Sequence, residues 1–237
     1  MNIKFTPTFA LILISLAARP ASAQSFTASS KEDVSLQQLT EIPAVSGYEA
    51  NVSKKIADIL SQFRPSTDNL GDVMITIGSG SPHRLLAAPI DEPGYVVSEI
   101  RPDGYLRLRR MPSSMLPDIF NQLYAAQPVK IATKTGAWIN GVVAGLSIHL
   151  EPGRIAPPDP SDIDNMYVDI GAASAEEARK AGVDVLSPVA IDRGLINLNH
   201  SEASGTGIGD KFGAAAVMTL AQALDPSKIT GTLTVAF

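Results

Sequence analysis

The hydrophobic pattern changes character twice along this chain, and that limits the folds open to it. Up to about residue 92, apolar residues recur first at helical spacing and then in short β runs. Between Tyr95 and Gly171 short strands follow one another at turn signals with almost no helix, and beyond Leu195 strand and helix alternate again. A helix buries a stripe and a strand buries a face. The outer segments therefore predict one α/β layer, and the middle a small β-barrel or β-sandwich inserted into it.

In the first segment Val34, Leu36, Leu39 and Ile42 lie on a short amphipathic helix stopped by Pro43. Ser46-Gly47-Tyr48-Glu49 has capping-box spacing ahead of a second helix, whose buried stripe is Ala50, Val52, Ile56, Ile59, Leu60 and Phe63. Val73 to Ile77 and Arg84 to Ala88 read as strands around a glycine- and proline-rich turn. In the middle segment, strands are expected at Tyr95 to Ile100, Tyr105 to Arg109, Val129 to Thr133, Ala137 to Leu146 and Tyr167 to Gly171. The proline-rich stretch from Glu151 to Pro160 reads as an exposed loop. Ser174 with Glu177 three residues on opens a helix that Gly182 closes, and Trp138 is expected to pack inside the barrel.

In the last segment Leu195 to Asn199 is a strand. Lys211 to Leu224 is a helix with Val217, Leu220, Ala221 and Leu224 inward, and Gly231 to Phe237 is a strand. A parallel α/β sheet buries both faces, so a chain ending in that strand is expected to be an α/β domain incomplete at its C-terminus. The expected division is a peptidase-like α/β domain over residues 24–92 and 190–237, interrupted by a β-barrel-like domain over 93–189.

Residues 1–23 read as a signal peptide: Lys4, an apolar run from Phe9 to Ala18, and Ala21-Ser22-Ala23 before the cleavage point. A secreted or periplasmic product is expected, with no membrane attachment after cleavage; an uncleaved anchor is the alternative. Cleavage removes Lys4 and Arg19, leaving 17 basic side chains against 24 acidic ones, a formal charge of −7. With no basic run, nucleic acid and anionic membrane are excluded as expected partners. The absence of cysteine rules out disulfides, Cys-zinc sites and thiol nucleophiles.

The chemistry-bearing stretches are Leu85 to Tyr95, L-L-A-A-P-I-D-E-P-G-Y, and Gly209 to Gly213, G-D-K-F-G. Read alone, Asp91 and Glu92 suit an ordinary turn before Pro93-Gly94, and Asp210 suits a helix start. Gly205, Gly207 and Gly209 match neither G-x-G-x-x-G nor the P-loop pattern. In order along the chain, these two stretches together with G-V-V-A-G-L-S-I-H-L and Y-V-D-I-G-A-A-S-A-E-E-A resemble the glutamyl (tetrahedral) aminopeptidase family of dinuclear zinc peptidases.

That resemblance implies a zinc-peptidase-like α/β sandwich with an inserted barrel, two zinc ions, peptide substrates and a homo-oligomer. It implies for Asp91 the role of the carboxylate in the family's His-x-Asp, which holds the zinc-binding His; here Pro89 stands at the His position. In the family's Asp-Asp-Lys the first Asp bridges the metals. Gly209 stands there, and Asp210 is the metal-ligand candidate by a one-residue shift. A Glu-Glu pair and the later Asp and His ligands are expected beyond Phe237. Two functional readings follow: a metallo-aminopeptidase hydrolysing peptides with zinc-activated water, or a non-catalytic relative that binds peptides or builds oligomers. In the first, Glu92 is a candidate for holding the substrate's amino terminus; its simpler reading is a solvated turn residue.

Overall fold

The structure, a computed structural model, describes residues 28, 30–111, 117–145, 149, 159, 161–199 and 202–237. The expected signal peptide, 1–23, and the expected loop over 151–160, Asp159 excepted, lie outside the described residues.

Helix α1 (Lys31–Thr40) begins at a reciprocal cap: the Ser30 hydroxyl accepts from the Asp33 N–H, and the Asp33 carboxylate accepts from the Ser30 N–H, both at 3.1 Å. Helix α2 (Ala50–Ile59) lacks the box expected for it. Its N-cap is Glu49 without a side-chain cap bond, and the Ser46 hydroxyl donates to Asp91 Oδ2 at 2.5 Å instead. The helix starts three residues later than a box at Ser46 requires, so Ser46 is not its N-cap, and its hydroxyl proton meets the distant carboxylate in a charge-assisted bond. Strands β1 (Ser66–Thr67), β2 (Val73–Ser79) and β3 (His83–Ala87) follow.

Strands β4 (Tyr95–Ile100), β5 (Leu106–Arg110), β6 (Pro128–Ala132), β7 (Trp138–Gly145), β8 (Met166–Asp169) and β9 (Pro188–Ile191) close into a barrel in the order β4-β5-β8-β7-β6-β9. Its core includes Tyr95, Val97, Leu106, Val129, Ile131, Val143, Val168 and Val189. Strand β9 is the closing stave, antiparallel to both β4 and β6. Nothing local announced it: it is four residues long, opens on Pro188, and buries the neighbours Val189 and Ala190 alike, so it lacks alternation. The β4–β5 turn depends on Gly104, at φ +90°, where a Cβ would lie 2.2 Å from the Ala172 carbonyl oxygen. Helix α3 (Ala175–Lys180) starts as expected, with the Ser174 hydroxyl accepting from the Glu177 N–H at 3.2 Å. Trp138 is half-buried at the barrel's surface and lines two cavities rather than packing in the core. The β7 pleat turns it outward, opposite Ala132.

The last segment forms an antiparallel pair, β10 (Ile196–Asn199) and β11 (Glu202–Ser204), then helix α4 (Ile208–Ala223) and strand β12 (Gly231–Ala236). Strand β12 inserts between β2 and β3, antiparallel to the first and parallel to the second. The described sheet, β1-β2-β12-β3, is thus mixed rather than parallel. Val73, Ile75, Ile77 and Val235 share one face and pack with Leu36 and Leu39 of α1, Val52 and Ile56 of α2, and Ala214 and Met218 of α4. Helix α4 buries Lys211, Ala214, Ala215, Met218 and Ala221, whereas Leu220, expected inward, is 48 % exposed. A buried lysine sets this face, and a hydrophobic pattern places lysine outside. Among the described residues, no helix is long and apolar enough to cross a membrane.

Candidate functional site

Strand β3 ends at Ala87, and the chain then crosses toward the barrel. Glu92 pairs in parallel with Val45: its N–H donates to the Ala44 carbonyl at 2.8 Å, and its carbonyl accepts from the Ser46 N–H at 3.3 Å. Successive side chains of extended backbone point to opposite sides, so Glu92 turns inward where Asp91 turns to a cleft.

Glu92 is not the solvated turn residue its sequence context suggested. It is 2 % exposed, and its Oε2 accepts from Lys211 Nζ at 2.7 Å while its Oε1 accepts from the Ala44 N–H at 3.1 Å. Lys211, at 0 % exposure, also donates to the Ile42 carbonyl at 3.0 Å. Burying either charge alone would be costly; together, with backbone partners, they join the two motif stretches and the α1–α2 connection. Gly207, the left-handed N-cap of α4 at φ +60°, lets the helix start against this pair. A Cβ there would lie 3.0 Å from Glu92 Cβ and 3.1 Å from its Oε2.

Asp91 lines a cleft of about 1130 Å³ between the α/β layer and the barrel. Glu49 and Asp72 flank it on the α/β side, and Lys134, Trp138, Asp184, Val185 and Leu186 form much of the barrel side. Lys134 pairs with Asp184 at 2.5 Å; this hydrogen bond first, then the Val185 N–H, holds the Asp184 carboxyl below its ordinary value. Among the described residues, the lining carboxylates Glu49, Asp72, Asp91 and Asp184 face the single lining cation Lys134, so the described cleft lining is net negative. At the barrel entrance the Tyr124 hydroxyl donates to the Pro93 carbonyl at 2.8 Å, and burial pushes that phenol well above its usual value.

The two expected site residues are not brought together in the cleft: Asp210 is exposed on the first turn of α4 and does not line it. Pro89 offers no side-chain donor atom and Gly209 no side chain. His83 is exposed on β3, and His200 lies outside the described residues. Among the described residues, no group of three or more His, Cys, Asp or Glu side chains is placed to hold a metal. Two zinc ions therefore do not fit the described donor set, since a zinc site takes three or four protein ligands. Sequence reasoning missed the roles of Lys211 and Ser46. Each is defined by a partner far along the chain, with no periodicity or spacing to reveal it.

The sequence model of M42 glutamyl aminopeptidase matches residues 71–237, and the chain belongs to that family. It is 33 % identical to the lysyl aminopeptidase of Pyrococcus furiosus over 62 % of this chain and 42 % of that protein. To the glutamyl aminopeptidase of Lactococcus lactis it is 27 % identical, over 84 % of this chain and 56 % of that protein. The TET1 peptidase of Pyrococcus horikoshii, which can assemble into a tetrahedron or a large octahedral shell, superimposes with a TM-score of 0.76 at 28 % identity, over 87 % of this chain and 60 % of that one. The chain spans about half the length of the curated relatives it matches.

Proposed function

We propose that this protein receives peptides in the cleft between its α/β layer and its barrel, and that the chain by itself does not hydrolyse them. The observation that carries this reading is the cleft of about 1130 Å³, net negative and walled by Asp91, Trp138 and Leu186, set beside a donor set that, among the described residues, does not suit zinc. A negative cleft attracts the charged amino terminus of a peptide. Export to the periplasm or exterior, and assembly of several copies, complete the reading. Their support is the leader-like residues 1–23 for the first and, for the second, the shells formed by the Pyrococcus horikoshii relative.

Metallo-aminopeptidase hydrolysis is the second reading, favoured by the family match over residues 71–237. Elemental analysis of the purified protein after zinc loading, alongside turnover of aminoacyl-nitroanilides and binding of short peptides, separates the two. Peptide binding without turnover is expected. Two zinc ions per chain with turnover would establish the second reading instead.

A further inference from the structure

Leu186 stands in a left-handed backbone conformation, φ +70°, that leucine adopts at a cost and glycine adopts freely. Its side chain is nevertheless 60 % exposed, so burial within the chain offsets little of that cost. The backbone there is held from both sides: the Leu186 N–H donates to the Val97 carbonyl at 2.8 Å, and the Leu186 carbonyl accepts from the Tyr48 hydroxyl at 3.0 Å. A costly conformation that is tightly held, and that presents an apolar side chain to solvent at the edge of a cleft, points toward a ligand.

Its surroundings agree. Val185 is 48 % exposed beside it, half-buried Trp138 lines the same barrel wall, and Leu70 stands on the α/β side at 87 % exposure. Large apolar side chains converging on one concavity differ from the scattered exposed leucines of an ordinary surface. Carboxylates lie in the same cleft, Asp72 and Asp91 on the α/β side.

We infer that the barrel wall formed by Trp138, Val185 and Leu186 is an apolar side-chain subsite. Its occupant is a peptide with a leucine- or phenylalanine-sized side chain, whose positive charge is met by the carboxylates across the cleft. The inference rests on the peptide-binding reading and adds to it a determinant of selectivity supplied by the inserted barrel. Apolar area in a pocket is worth tens-fold in discrimination, so a matched peptide should bind about tenfold more tightly than one with methyl side chains only.

The test uses the purified protein and a tripeptide set: trialanine, and the peptides in which phenylalanine replaces each alanine in turn. Binding is measured by calorimetry. In the parent, one or more phenylalanine peptides should exceed trialanine about tenfold. Leu186→Gly removes the side chain while accepting φ +70° without strain, so the melting temperature should hold or rise as the ratio falls toward one. Trp138→Ala is the second variant and should lower the same ratio. Equal binding of all four peptides by the parent, or an unchanged ratio in both variants, overturns the subsite and leaves peptide binding standing. If no peptide binds at all, the peptide-binding reading and the subsite fall together.

Discussion

Replacing Lys211 with methionine tests the central claim about how the two motif stretches are joined. Methionine keeps much of the length and apolar bulk of the lysine stem but removes the ammonium. Glu92, at 2 % exposure, then keeps only the Ala44 N–H as a partner, and the Ile42 carbonyl loses the donor at 3.0 Å. Removing one member of a buried pair costs about 3–5 kcal/mol, chiefly the penalty of the charge left behind. For a chain of this size each kcal/mol lowers the melting temperature by about 2–4 °C, so a drop of roughly 6–20 °C is expected by circular dichroism. Pairing Lys211→Met with Glu92→Leu should recover most of the loss, because a buried ion pair exchanged for apolar groups is often neutral. A double-mutant cycle then reads the coupling directly. If Lys211→Met alone melts within about 1 kcal/mol of the parent, the pair is not desolvated as described and the reasoning fails.

Gly104→Ala should destabilise by about 2–4 kcal/mol in urea unfolding, since a positive φ and overpacking act together; a change under about 0.5 kcal/mol would contradict the close approach to Ala172. Asp184 should titrate below its ordinary value of 3.8 because Lys134 favours its charged form. With the folded value depressed, the bridge contributes above the unfolded value and is lost as pH falls through the folded one. Carboxyl chemical shifts should show the Asp184 titration moving upward in Lys134→Ala, and a downward move would refute the assignment.

Local signals were enough for much of this fold. Ser174 with Glu177 marks a helix start because a capping bond spans only three residues. Strands β2, β4 and β12 were legible from apolar runs and the turns around them. The family, too, was readable, because several motif stretches occur in order. Strand β9 was not, since only its two neighbours define it as a strand.

At the candidate site the sequence by itself determined which atoms exist: no side-chain donor at Pro89, no side chain at Gly209, carboxylates at Asp91 and Asp210. Only the tertiary structure decided what each does. It turned Glu92 inward to Lys211 across 119 positions, gave Ser46 to Asp91 rather than to its own helix, left Asp210 exposed, and brought Trp138 and Leu186 to the wall of a cleft. Helix and turn propensities act over a few residues and are written locally. The free energy of burying a charge depends on what the fold places beside it, and a buried lysine and its glutamate acquire that meaning only when distant segments meet.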